Sequence, residues 1–210
     1  TVTGVQTCAL PILYRAKQSG RQRYALFDPI MHAQALERLH VENDLRKALD
    51  NHEFVLHYQP IVYLENQKIR GFEALIRWYH PQRGLIPPDQ FITIAEETGL
   101  IIPMGQWVLE SACQQMAHWQ QQFPDYPLRV SVNLSAKQLQ FSLLNQLDKL
   151  LANYDLNGDR LVLEITESML VKNVQENRVL LEQIRGKGIR LSIDDFGTGY
   201  SSLSYLHQLP

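Results

Sequence analysis

The sequence predicts an α/β fold, a partial TIM-type (β/α) barrel with about five of its eight strands present. Short apolar, β-branched runs alternate with longer stretches of helical periodicity from residue 53 onward, which is the pattern of a parallel sheet with helical crossovers. Single polar groups interrupt or end several of these runs: Glu73, Asn133, Glu164 and the pair Asp194–Asp195. Parallel barrel strands deliver such side chains to one shared mouth, so residues far apart in sequence converge there. Five strands are visible, whereas a complete barrel needs eight and about 250 residues. The chain therefore reads as ending at Pro210, inside the connection before a sixth strand.

The elements follow in order. Residues 1–12, "TVTGVQTCALPI", carry no charge and no periodicity. They read either as a foreign translated segment or as a natural disordered start, and Cys8 is discounted with them. Residues 29–51 read as a connector helix: Ala35, Leu36, Leu39, Leu45, Ala48 and Leu49 recur near helical spacing, and Pro29 suits its first turn. From residue 52 the barrel domain begins. "FVLHYQPIVYL" and "IRGFEALIRW" read as two strands joined by the turn-like "ENQK". "PPDQFITIAEETG" reads as a helix that opens with prolines and ends at Gly99, and "GQWVLESACQQMAHWQQQ" as a longer amphipathic helix. Strand "RVSVNLS" leads to helix "AKQLQFSLLNQLDKLLANY", and strand "RLVLEITES" to helix "NVQENRVLLEQIRGKG". Strand "IRLSIDDFG" leads to the short helix "SSLSYLHQL".

Composition sets the class. The 210 residues are 45% hydrophobic and 20% charged, ordinary globular material with enough apolar mass for one sizeable core. A formal net charge of −2 gives no bulk attraction to nucleic acid or to a membrane surface. Neither partner is expected, and any phosphate ligand must be held locally. Two cysteines, Cys8 and Cys113, supply no disulfide framework and no zinc spacing. A reducing, cytoplasmic setting is the default expectation. No apolar run approaches the roughly 20 residues that span a bilayer.

Side-chain parity supports convergence of the polar groups. Ile69, Gly71, Glu73, Leu75 and Arg77 share one strand face. Asn133 shares a face with Ser131, Glu164 with Val162, and Asp194 with Ser192. Several carboxylates in one interior repel each other and resist desolvation unless a cation is present. An oxygen-only donor set suits a hard divalent cation, Mg²⁺ or Mn²⁺. Simpler roles stand beside this one: a Glu73–Arg77 salt bridge, a helix N-cap at Asn133 (which Ser135 could supply instead), and a turn-forming acidic pair at Asp194–Asp195.

"EALIRW", "NLSAKQL", "LEITES" and "DDFGTGYSSLSYL" occur in this order. Together they resemble the EAL domain, the cyclic di-GMP phosphodiesterase of bacterial second-messenger signalling, over about residues 35–210. The resemblance implies that Glu73, Asn133, Glu164, Asp194 and Asp195 are metal ligands of a two-metal site, with Glu73, Glu164 and Asp194 central to catalysis. It implies that Gln59, Leu75 and Arg77 hold the dinucleotide, Arg77 on a phosphate. A loop comprising Asp195, Phe196, Gly197, Thr198, Gly199, Tyr200, Ser201 and Ser202, steadied by Glu167, is implied to link dimerisation to activity. Gly197 and Gly199 also suit a plain turn, and Glu167 a surface charge. Residues 13–28, "LYRAKQSGRQRYALFD", resemble the end of a GGDEF domain, which implies such a partner upstream; a plain basic helix followed by a loop fits them as well. The implied reaction is hydrolysis of cyclic di-GMP to linear pGpG by a homodimeric parent protein. The alternative is a non-catalytic cyclic di-GMP receptor. A lysine and a glutamate of the family pattern would fall beyond Pro210, so residues 1–210 alone are expected to be inactive and self-associating.

Overall fold

The computed structural model describes residues 29–167, 169 and 174–195. Helix α1 spans Pro29–Ala48 and strands β1 and β2 span Phe54–Val62 and Ile69–His80. The short strand β3 covers Gly84–Ile86, followed by α2 (Pro88–Thr98) and α3 (Ile101–Gln122). Strand β4 (Val130–Asn133) leads to α4 (Ser142–Asn153), β5 (Leu161–Thr166) to α5 (Val174–Gly186), and β6 is Arg190–Asp194. The strands form one six-stranded sheet in the order β1-β2-β4-β5-β6, with β3 beside β2. The sheet is not closed, as a partial barrel requires.

Two features add to the expected five-strand parallel sheet. β1 pairs antiparallel with β2, and β3 adds a third antiparallel element. The reason is connection length. Residues 63–68 make a tight turn in which the Tyr63 amide donates to Lys68 O at 2.9 Å and Gln67 takes φ 57°. A parallel partner would need a crossover of a dozen residues or more. From β2 onward the pairs β2–β4, β4–β5 and β5–β6 are parallel, as expected.

The helix expected over residues 136–154 is also interrupted. A 3₁₀ turn, Ala136–Gln138, is followed by a break before α4. Ser135 occupies the N-cap position of that turn, and its amide donates to Gln138 Oε1 at 3.0 Å. The helix expected over "PPDQFITIAEETG" spans Pro88–Thr98 and ends at Gly99, in the left-handed region (φ 84°) that a Cβ would disfavour. The segment "SSLSYLHQL", the stretch 1–28 and the loop residues 196–202 lie outside the described residues.

Two apolar clusters hold the sheet to its helices. In one, Leu109, Ala112, Cys113 and Met116 of α3 pack on Val130, Val132, Leu161, Leu163 and Ile165 of the parallel strands, with Leu147 of α4 and Leu181 and Ile184 of α5 closing the layer. Burial pushes the Cys113 thiol up to about 12, with the Glu110 charge adding to it, so it stays a neutral packing group. In the other, Val41, Leu45 and Ala48 of α1 cover Phe54, Trp78, Ile86 and Phe91. Trp78 is fully buried and donates its indole N–H to Glu53 Oε2 at 2.9 Å. This cluster fixes the outer end of β2, and the first fixes β4–β6.

Candidate functional site

β5 shows how the site is built. Leu161, Leu163 and Ile165 are buried against helices, while Val162, Glu164 and Thr166 face the other way and are half-buried. In β4, Val130 and Val132 join the core, while Ser131, buried, and Asn133, exposed, share the other face by strand parity. The pairing register then sets rows across that face. Gln59 lies opposite Glu73, and Glu73 opposite Ser131. Asn133 lies opposite Glu164, Glu164 opposite Ser192, and Thr166 opposite Asp194. The polar groups therefore gather at the C-terminal ends of β4–β6, where barrel sites lie.

Direct contacts tie some of them together. Asn133 Nδ2 donates to Glu73 Oε1 at 2.8 Å, across 60 residues of sequence. Burial holds the Glu164 carboxyl above its usual range; a Ser131 hydrogen bond opposes this, and the charges of Glu73 and Asp194 push it further up. The Asp195 amide donates to Asp194 Oδ1 at 2.9 Å, with Asp195 itself at φ 55°. Asp194–Asp195 is thus both an acidic pair and a turn.

The simpler roles resolve against this geometry. Arg77 donates Nη1 to Ile76 O at 2.8 Å, and no Glu73–Arg77 ion pair forms. Asn133 caps no helix, since that position belongs to Ser135. Among the described residues, however, no three His, Cys, Asp or Glu side chains meet closely enough to hold a metal ion. The expected five-residue set is therefore gathered without forming one coordination sphere. Its rows are staggered, and Asn133 occupies one Glu73 oxygen. The donor chemistry still fits a hard cation: every group is an oxygen donor, and Glu164 is raised in part by two neighbouring charges that a cation would neutralise. Leu75 and Arg77 continue the Glu73 face along β2, both half-buried, and Glu167 is half-buried just past β5.

The opposite end of the same face was not anticipated. Arg70, Arg129, Arg185 and Arg190 line a cavity of about 810 Å³ together with Ser131, Glu164 and Ser192. The signal was present in the sequence. "RVSVN" and "RLSID" each place Arg, Ser and then Asn or Asp at alternate positions, and so on one face.

The comparisons agree with this architecture. Residues 42–210 match the EAL domain family, and the chain belongs to that family. It is 46% identical over 200 residues to the bifunctional diguanylate cyclase/cyclic di-GMP phosphodiesterase MucR of Pseudomonas aeruginosa, covering 94% of this chain and 29% of that protein. It is 41% identical over 199 residues to the cyclic di-GMP phosphodiesterase PdeR of Escherichia coli, covering 94% of this chain and 30% of the relative. The chain thus spans under a third of the length of these curated relatives. Among solved structures it is similar to the P. aeruginosa MucR phosphodiesterase in complex with c-di-GMP, with TM-score 0.77 and 46% identity over 81% of this chain and 69% of that one. It is also similar to the EAL enzyme Bd1971 in its cGMP-bound form, with TM-score 0.79 and 38% identity over 85% of this chain and 50% of that one. No described helix is long and apolar enough to cross a membrane.

Proposed function

We propose that the protein carrying this chain hydrolyses cyclic di-GMP to linear pGpG, with Mg²⁺ or Mn²⁺ held between Glu73 of β2 and the C-terminal ends of β4, β5 and β6. The observation that carries the reading is the Asn133–Glu73 contact, with Glu164 under the charges of both Glu73 and Asp194. Glu73, Asn133, Glu164, Asp194 and Asp195 hold the cations in this reading. Bound divalent cations supply an acidified water and neutralise charge developing on a phosphoryl group. Water oxygen bonds to phosphorus, the bond from phosphorus to the 3′ oxygen breaks, and the 3′ oxygen takes up the proton. Gln59 and Leu75 flank the dinucleotide. Arg77 reaches a phosphate, where its planar fork can bind two oxygens. Asp195 and the loop 196–202, with Glu167, carry control of activity, and residues 13–28 belong to an upstream GGDEF domain.

The test is product analysis on the full-length protein with Mg²⁺. Conversion to pGpG, lost on Glu73→Ala by on the order of 10³-fold, is the expected result. Binding of cyclic di-GMP without turnover in the unmodified protein would replace the enzyme reading with a receptor.

A further inference from the structure

The turn that follows Asn133 is gripped by two helices on the side away from the carboxylates. The Ser135 hydroxyl donates to Glu96 Oε1 of α2 at 2.7 Å, in a part-buried contact between residues 39 apart in sequence. The Ser135 amide donates to Gln138 Oε1 at 3.0 Å. The Gln138 amide in turn lies against Gly105 of α3, where a Cβ would come within 1.8 Å of Gln138 Nε2. Gly105 is buried inside a helix, a place where alanine is the better helix former. On its other side the same turn faces the site. Leu134 N donates to Glu164 O at 2.8 Å, and the Asn133 side chain holds Glu73.

We infer that Glu96, Ser135 and Gln138 are positioning residues that set the orientation of Asn133, with Gly105 kept free of a side chain to admit Gln138. The inference rests on the cation site proposed above. Glu96 acts through Ser135 and lies across the turn from the carboxylates. A carboxylate acceptor makes the stronger, more directional bond to a hydroxyl. Partners that orient a metal ligand in this way govern its affinity nearly as much as the ligand does.

The experiment compares Glu96→Ala, Ser135→Ala, Gly105→Ala and Glu96→Gln in the full-length protein. It reads amide exchange of residues 133–138 without cation, Mn²⁺ affinity by titration, and melting temperature. Faster exchange in that turn and Mn²⁺ affinity weaker by about 10–100-fold are expected for the three alanine variants, at little cost in melting temperature. Glu96→Gln should stay near the unmodified protein, because its Oε1 still accepts from Ser135. Gly105→Ala is the sharpest case, since helix propensity favours alanine while displacement of Gln138 loosens the turn. Unchanged exchange and unchanged Mn²⁺ affinity in Glu96→Ala and Ser135→Ala would overturn the inference. If Glu96→Ala fails to fold, Ser135→Ala decides, because it removes one hydroxyl only. If the unmodified protein binds no Mn²⁺, the proposed function falls, and exchange in the cation-free protein still decides whether the grip on the turn is real.

Discussion

The two ends of the concave face carry opposite charge, and they balance it differently. At the N-terminal ends of the strands, Arg129 sits near Arg70 and Arg190, and burial together with those two charges lowers its hold on the proton. That end has backbone acceptors and one opposing carboxylate. Arg129 Nε donates to Asp159 O at 3.2 Å, Arg160 Nη1 donates to Leu128 O at 3.2 Å, and the Asp159 charge favours the Arg129 cation. Toward the carboxylate end, the hydrogen bonds that Glu73, Glu164 and Asp194 accept among the described residues come from neutral groups, the Asn133 amide, the Ser131 hydroxyl and the Asp195 backbone amide. Arg77, further along the same face of β2, donates one nitrogen to Ile76 O. Asp159 thus offsets part of the positive charge at one end, whereas the charges acting on Glu164 at the other are all negative. That difference marks the carboxylate end as the one that calls for an added cation.

The variant with the largest expected effect lies between the ends. At Gly71 β2 passes close to the start of β4, and a Cβ there would sit 2.3 Å from the Arg129 carbonyl oxygen. Backbone cannot yield as a flexible side chain does, so Gly71→Ala should cost at least about 1–3 kcal/mol. The urea midpoint measures this. An unchanged midpoint would mean that the two ends are not locked together at Gly71.

Glu164→Gln tests the carboxylate end by itself. The fold raises the Glu164 carboxyl above its unfolded value, so the folded state favours the protonated form. The cation-free protein should therefore lose stability as pH rises from the ordinary glutamate range through the raised folded value. Glu164→Gln should remove that loss and melt higher at neutral pH, while abolishing turnover. Melting curves across that pH range, with and without Mg²⁺, check it. Parallel pH profiles in both proteins would show that the repulsion is not felt.

Arg190→Gln should have the smallest effect. Removing one member of the arginine group should raise stability by less than about 1 kcal/mol. Added salt should stabilise the unmodified protein more than the variant, because salt screens exposed like charges. Equal salt responses would indicate that the arginines are already balanced.

Much of this arrangement was legible in the sequence, because strand parity is local. The alternation that puts Asn133 with Ser131 and Glu164 with Val162 on the concave face follows from period-two geometry alone. The turn-like "ENQK" between β1 and β2 was read from the sequence, and the antiparallel pairing follows from it, because residues 63–68 are too few for a crossover. The Glu96–Ser135 contact was not legible, since residues 39 apart meet through the packing of α2 against the sheet and no periodicity reports it. The stagger that keeps the carboxylates from one coordination sphere depends on register between strands, which single-strand patterns do not specify.

The central claim is that the carboxylate end holds a divalent cation. Its most direct measurement is Mn²⁺ titration of the full-length protein and of Glu73→Ala and Arg190→Gln, followed by electron paramagnetic resonance or calorimetry. The account predicts saturable binding that Glu73→Ala abolishes and Arg190→Gln leaves intact. Binding that survives Glu73→Ala unchanged, or that is absent from the unmodified protein, would contradict it.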